Sequence, residues 1–183
     1  MTLTTQGDAP IHYTLDGSEP TAASPRYTGP VEIGKSAHFR ATALREGGEN
    51  ASYSREFAFS KSTGRPAVLN TKPNDSYTFE GASLLVDGYH SRPVFTSGAW
   101  LGYLDEPLDV TIDMGGEQSY RSVELETLAE KGDWIFPPSS VTVWVSDNGT
   151  DFTEVASVTV PEAKAGDADG IGRYRMQFPE TSA

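Results

Sequence analysis

The chain contains no cysteine and only three histidines among its 183 residues. Without thiols it can have neither a disulfide framework, nor a cysteine nucleophile, nor a zinc site with cysteine ligands. Its stability therefore has to come from side-chain packing. The lack of cysteine does not assign a compartment, because secreted bacterial domains of this size often fold without disulfides.

Long apolar runs and an excess of basic charge are missing as well. No stretch approaches the roughly 18 consecutive apolar residues of a membrane helix. The 14 Lys and Arg residues are outnumbered by 26 Asp and Glu residues, for a formal net charge of -12. Such a field repels phosphate backbones and anionic lipid headgroups. We therefore expect no nucleic-acid partner and no membrane insertion.

Alternation of apolar and polar residues with period two dominates the sequence, whereas helical periodicity is nearly absent. Strand-like stretches occupy 38–44, 53–59, 110–114, 123–125, 141–146, 152–160 and 174–178. Dipeptides that tolerate positive φ separate them, namely Asp16-Gly17, Gly47-Gly48, Asp87-Gly88, Gly115-Gly116 and Asn148-Gly149. The sequence predicts an all-β protein, and Asn148-Gly149 predicts a hairpin in which Trp144 faces away from three valines.

Residues 60–66 are small, polar and broken by Gly and Pro, which is typical of a short linker. We therefore expect a first domain at 1–62, a linker at 63–66 and a second domain at 67–183. Residues 1–62 hold 6 Lys and Arg against 7 Asp and Glu, and residues 63–183 hold 8 against 19. The acidic character thus belongs to the second domain, where it favours a neutral polyol or a divalent cation over an anionic ligand. Plain solubility is the alternative explanation for this charge.

A distinctive run lies near the N-terminus, Ile11-His12-Tyr13-Thr14-Leu15-Asp16-Gly17-Ser18-Glu19-Pro20-Thr21, followed by Ser24-Pro25, Tyr27-Thr28 and Pro30-Val31. With these residues the first domain resembles the C-terminal immunoglobulin-like domain of chitobiase and β-hexosaminidase-type proteins. Members of that family lie beside catalytic glycosidase domains and carry no active site, so the resemblance implies a spacer or scaffold. The residues agree, because Asp16-Gly17 turns the chain and the prolines interrupt strand pairing.

A second set of motifs begins near Ala67: Leu84-Leu85-Val86-Asp87-Gly88, Gly98-Ala99-Trp100, Ile112-Asp113-Met114-Gly115 and Val143-Trp144-Val145-Ser146-Asp147-Asn148-Gly149-Thr150-Asp151-Phe152. In this order they resemble the discoidin or F5/8 type C family. Its jelly-roll sandwich is widely used as a carbohydrate-binding module on bacterial glycosidases, with a binding face formed by loops at one end. Members usually continue with a further strand pair after a segment like Tyr174–Phe178. We therefore expect this domain to lack its last strands and to expose a sheet edge.

The second resemblance implies a metal site at Asp87. In the family the matching carboxylate, with nearby backbone carbonyls, binds a structural calcium ion, which prefers hard oxygen ligands. An acidic residue near the end of the family's domain helps to close that site, and the stop at Ala183 weakens the expectation. The alternative is an ordinary Asp-Gly turn in which the carboxylate accepts local backbone hydrogen bonds.

Candidate sugar contacts lie in loops of the second domain. A pyranose is held by a flat apolar face that stacks on its C–H surface and by polar groups that pair with its hydroxyls. Aromatic residues in loops are less easily explained as core than those in strands. The candidates are His90, Arg92, Phe95, Trp100, Tyr103 and Trp134. The alternative for both tryptophans is that they cap the sandwich core, since aromatic side chains usually bury.

No enzyme signature is present in the sequence: it lacks a Gly-x-Ser-x-Gly elbow, a His-Glu-x-x-His zinc motif, a phosphate-binding loop and a dinucleotide fingerprint. We expect a non-catalytic carbohydrate-binding and spacer region of a secreted, periplasmic or cell-surface glycoside hydrolase, with β-N-acetylhexosaminidase as the implied type. A signal peptide is expected upstream of Met1 in a longer protein. The expected partners are a glycan and the parent's own catalytic domain. Two alternatives are purely structural domains that pack on that catalytic domain, and a protein-interaction or adhesion module.

Overall fold

The computed structural model describes residues 1–5, 7–45, 47, 49–164 and 166–183. In these residues the chain is all-β with antiparallel sheets, which confirms the predicted fold class. The strands are β1 (Ile11–Thr14), β2 (Ala37–Ala43), β3 (Ala51–Phe57), β4 (Ala67–Leu69), β5 (Val110–Ile112), β6 (Ser119–Ala129), β7 (Ser140–Val145), β8 (Thr153–Thr159) and β9 (Gly170–Ser182). Short 3-10 helices occupy Asp75–Tyr77, Gly81–Leu85, Phe95–Ser97 and Lys131–Asp133. Within the described ranges no helix has the length and apolar character needed to cross a membrane.

The chain forms two units. Unit 1 comprises Met1–Thr63 together with Asp87–His90, and unit 2 comprises Gly64–Val86 together with Ser91–Ala183. The first division falls inside the polar segment 60–66. The chain then returns to unit 1 for a short segment before it completes unit 2.

The returning segment Asp87–His90 is held in unit 1 by backbone and side-chain contacts. The Ala58 amide donates to the Gly88 carbonyl at 2.7 Å, and Phe57 and Tyr89 form an antiparallel bridge. The sequence motif around Asp87 had placed this segment in the second domain. The structure instead assigns it to unit 1, because these contacts join it to the end of β3.

Unit 1 is built on the three-stranded sheet β1-β2-β3. The apolar face predicted for β2 is buried, since Phe39, Ala41 and Ala43 are buried and Phe39 is 0% exposed. Thr42, which the alternation places on the opposite face, is buried as well, so the alternation in burial ends at Ala41. Phe39 stacks on Tyr13 with ring centroids 5.8 Å apart, and it forms a core cluster with Ala41 and Phe57. A small apolar core around Phe39 therefore stabilises this unit.

Unit 2 contains three two-stranded sheets, β4-β5, β6-β9 and β7-β8, in the described part of the chain. The longest pairing joins β6 and β9, from Ala129 opposite Gly170 at one end to Ser119 opposite Ser182 at the other. The buried apolar side chains of this unit are Val86, Leu128 and Met176. Val123 in β6 is exposed, although its partner across the sheet, Met176, is buried. The jelly-roll assignment stays a prediction.

The hairpin predicted at Asn148-Gly149 is confirmed. It joins β7 and β8, which pair antiparallel, and Gly149 adopts a positive φ of 72°. The Asn148 side-chain oxygen accepts hydrogen bonds from the amides of Thr150 (2.9 Å) and Asp151 (2.8 Å). This network shapes the turn. In the predicted Gly47-Gly48 turn, Gly48 lies outside the described residues.

The last residues of the chain are also paired. The Gln118 amide donates to the Ala183 carbonyl at 2.8 Å, and the Ala183 amide donates back to Gln118 at 3.1 Å. Strand β9 runs to Ser182, well beyond the segment 174–178 in which the sequence predicted it. The C-terminal residues thus extend the β6-β9 ladder.

Candidate functional site

Trp100 and Arg92, two of the predicted sugar-binding residues, lie together in a closed loop of unit 2. The indole Nε1–H of Trp100 donates to the Arg92 carbonyl at 2.9 Å, and the Ser91 hydroxyl donates to the Ala99 carbonyl at 3.3 Å. Trp100 is half-buried, whereas Arg92 is exposed. The polar edge of the indole is therefore already satisfied by the protein, and only part of its surface faces solvent.

Phe95 and Tyr103, two further candidates, are partly packed against neighbouring segments. Phe95 contacts Tyr77 edge-on, with centroids 6.4 Å apart and an interplanar angle of 61°. The hydroxyl of Tyr103 donates to the Thr71 carbonyl at 3.5 Å. Burial raises the pKa of the Tyr103 phenol above its ordinary value. These contacts give both rings a structural role in unit 2.

Asp87 and His90 belong to unit 1 rather than to the loops of unit 2. One carboxylate oxygen of Asp87 accepts the Tyr89 amide at 2.9 Å, which is the local turn bond that the sequence left open as an alternative. In the described residues no group of three or more His, Cys, Asp or Glu side chains could hold a metal ion. The described side chains around Asp87 therefore do not form a calcium site built on several carboxylates. Calcium binding at Asp87 stays a prediction.

Trp134 differs from the other candidates because its side chain is 85% exposed. Phe136 is 54% exposed, and the two rings meet at 76° with centroids 6.4 Å apart. We call this pair the aromatic platform. In the described part of the chain, ring contacts join neither Phe95 nor Trp100 nor Tyr103 to it. The structure thus divides the predicted aromatics into three that are half-buried and one that faces solvent.

The backbone around Trp134 is held in a defined turn. Glu130 and Ile135 form a bridge with hydrogen bonds in both directions, at 3.0 and 3.1 Å. Within this closed turn the Trp134 amide donates to the Lys131 carbonyl at 3.2 Å. Trp134 adopts a left-handed φ of 61°, which is uncommon for a residue with a side chain. The turn therefore fixes the point from which the indole leaves the backbone.

Lys131 anchors this turn to the segment that precedes β9. Its Nζ donates to Asp169 Oδ1 at 2.5 Å and to the Asp167 carbonyl at 2.8 Å, and its backbone amide donates to the same Oδ1 at 3.1 Å. The hydrogen bonds from Lys131 hold the pKa of the Asp169 carboxyl below its ordinary value. The ion pair is therefore intact at neutral pH.

Sequence reasoning found Trp134 but did not include Phe136, Lys131 or Asp169 among the site residues. Phe136 carried a signal in its position, because it is a second aromatic residue two positions after Trp134 and directly before Pro137-Pro138. Lys131 and Asp169 carried no such signal in the sequence, because their contact depends on the pairing of β6 with β9.

The N-terminal part of the chain matches the model of a known protein family. Residues 1–57 match the family model described as Fn3 associated, and they contain the whole sheet β1-β2-β3 of unit 1. This match fits a fibronectin-like or immunoglobulin-like β domain. No curated protein is significantly similar to the chain.

Proposed function

We propose that this chain is the non-catalytic carbohydrate-binding and spacer region of a secreted glycoside hydrolase, of the β-N-acetylhexosaminidase or chitobiase type. Unit 1 is the spacer, and unit 2 binds sugar through the aromatic platform. The proposal depends on one observation above all, the 85% exposure of Trp134 on a turn that is itself hydrogen-bonded.

The platform has the chemistry that sugar recognition requires. Burial of a large apolar side chain contributes about 1.5–3 kcal/mol, and an indole left in water forgoes that gain until a ligand covers it. The C–H face of a pyranose is a suitable cover because it is flat and apolar. Phe136 stands at 76° to the indole and offers the same sugar ring a second wall.

The charge of unit 2 favours a neutral sugar. Its residues 64–86 and 91–183 hold 8 Lys and Arg against 18 Asp and Glu. A neutral glycan is indifferent to this acidic field, whereas uronates and sulfated sugars are repelled by it. The expected ligand is therefore an uncharged oligosaccharide, of which β-linked N-acetylglucosamine is the natural first candidate for a protein of this type.

The N-terminal motif supports a spacer role for unit 1. The carboxylate of Asp16 accepts hydrogen bonds from the amide (3.0 Å) and the hydroxyl (2.6 Å) of Ser18, so it is engaged in its own turn. His12 is likewise bonded through Nδ1 to the Ser24 carbonyl at 2.7 Å. Both groups stabilise local backbone, which supports a scaffold rather than a catalyst.

The test is a calorimetric titration of the whole chain with neutral oligosaccharides, including the N-acetylglucosamine tetramer, and of the Trp134→Ala variant. We expect weak binding by the unsubstituted chain. In the Trp134→Ala variant we expect at least a tenfold loss of affinity with an unchanged melting temperature. Trp144→Ala is the matched control, because Trp144 is 53% exposed but lies in strand β7. Binding of no sugar, or equal binding by parent and Trp134→Ala, would overturn the proposal and favour a purely structural or adhesive role.

A further inference from the structure

We infer that Lys131 is a positioning residue for the aromatic platform, because it ties the turn that carries Trp134 to the segment before β9. The inference concerns the organisation of the site and rests on the proposed function for its ligand. Lys131 itself lies beside the platform and is not assigned a contact with sugar.

The first support is the geometry of the anchor. Lys131 uses two donors, its amide and its Nζ, on the same Asp169 oxygen, and a further Nζ hydrogen bond on the Asp167 carbonyl. Its side chain is 17% exposed, against 34% for Arg40 in its ion pair with Glu19 and 76% for Arg121 in its pair with Glu180. An ammonium group that is shielded from water and bonded on several sides holds one geometry more firmly than a surface pair does.

The anchor is fixed on its acceptor side as well. The Asp167 amide donates to the Lys164 carbonyl at 3.0 Å, and Asp167 Oδ2 accepts the Lys164 amide at 2.7 Å. Asp167 therefore lies in a closed turn, and Asp169 directly precedes the first residue of β9, Gly170. Both acceptors of the Lys131 ammonium are held by the fold.

The strained backbone of Trp134 explains why an anchor is needed. A non-glycine residue at positive φ costs energy and persists only where its surroundings fix it. The Trp134 amide reaches the carbonyl of Lys131, so the residue that supports this conformation is the same one that binds Asp169. Loss of the ammonium leaves the turn free to relax, and a ligand would then have to order the indole again.

The charged groups on the two segments are Glu130, Lys131 and Asp133 on one side and Lys164, Asp167 and Asp169 on the other. Lys131→Met removes the ammonium and keeps most of the aliphatic stem. Ordering one side chain on binding lowers affinity by roughly two- to tenfold. We expect a loss of that size in the affinity of Lys131→Met for the N-acetylglucosamine tetramer.

The experiment combines that titration with an NMR measurement that needs no sugar, the heteronuclear NOE of the Trp134 indole N–H. In Lys131→Met the NOE should fall, and Lys131→Arg, which keeps a cation with several donors, should restore most of it. Arg121→Met is the matched control, because Arg121 and Glu180 form an ion pair at the opposite end of the same β6-β9 ladder. This control should leave both the NOE and the affinity unchanged.

The outcomes separate the positioning role from the proposed function. An unchanged NOE in Lys131→Met overturns the positioning role, and so does an equal fall in Arg121→Met. If the parent chain binds no sugar, the proposed function fails, while the NOE comparison still decides what Lys131 does. Asp169→Ala removes the carboxylate acceptor of both Lys131 donors and should reproduce the effect if Lys131→Met does not fold.

Discussion

Arg55 lies over the aromatic ring of Tyr89, with its guanidinium carbon 3.6 Å from the ring centroid. The same ring meets Phe57 edge-on, with centroids 5.0 Å apart. All three residues belong to unit 1, although Tyr89 follows a long stretch of unit 2 in the sequence. Tyr89 therefore completes the packing at the end of β3, and unit 1 depends on a segment that lies outside the N-terminal 63 residues.

The Tyr89→Ala substitution should destabilise unit 1. Loss of the half-buried ring from its contact with Phe57 should lower the unfolding free energy by about 2–3 kcal/mol, as for an aromatic side chain that is not fully enclosed. Loss of the cation–π contact with Arg55 should lower it by about 0.5–1 kcal/mol more. Denaturant unfolding of the full chain measures the loss. Tyr89→Phe keeps the ring over both contacts and should stay within about 0.5 kcal/mol of the parent. Equal stabilities for the alanine and phenylalanine variants would contradict this role for the ring.

The strands of this chain could be predicted from sequence because their side-chain pattern is local. Phe39, Ala41 and Ala43 alternate with polar residues, and Asn148-Gly149 specifies a turn without help from distant residues. The placement of Asp87–His90 could not be predicted in this way. Its Asp-Gly turn is visible in the sequence, but the choice of unit depends on contacts with Arg55 and Phe57, far away along the chain.

In the candidate site, too, local patterns could be predicted from the sequence and long-range contacts could not. Trp100 and Trp134 both stand in loops without strand pattern, so sequence treats them alike. In the structure Trp100 is half-buried and bonded to Arg92, whereas Trp134 is exposed. The Trp100 indole is bonded within its own loop, whereas the turn that carries Trp134 is joined by Lys131 to the segment that precedes β9. Those are tertiary contacts, and a single sequence does not specify them.

A side chain at Gly17 should lower the stability of unit 1. It adopts a φ of 82°, and a Cβ built there would lie 2.7 Å from Nδ1 of His38, whose Nε2 is bonded to the Ser54 hydroxyl at 3.0 Å. Gly17→Ala therefore combines left-handed strain of about 1 kcal/mol with displacement of the His38 ring, and we expect a loss of about 2–3 kcal/mol in unfolding free energy. Gly7→Ala is the control, since Gly7 has a φ of 83° with open space around it. Equal losses in the two variants would show that the contact with His38 is unimportant.

The Asp16 carboxyl should titrate at lower pH than an ordinary aspartate. The hydroxyl of Ser18, and then its amide, donate to the charged carboxylate and lower the pKa of Asp16 below 3.8. Because the folded pKa is depressed, this turn contributes stability above the ordinary carboxyl pKa and loses it as the pH falls through the lower, folded value. Ser18→Ala removes the hydroxyl donor, so the pKa of Asp16 should rise towards 3.8 in a carboxyl-detected NMR titration.

Thr14→Val is the matched control for that titration. The Thr14 hydroxyl donates to the Ser18 carbonyl at 2.6 Å, so it supports the same turn without contacting the Asp16 carboxylate. Its removal should leave the midpoint of Asp16 in place. A midpoint that moves equally in Thr14→Val and Ser18→Ala would mean that the general order of the turn, rather than the Ser18 hydroxyl, sets the acidity of Asp16. A shift confined to Ser18→Ala shows that the Ser18 hydroxyl lowers the pKa of Asp16 within the Asp-Gly-Ser turn.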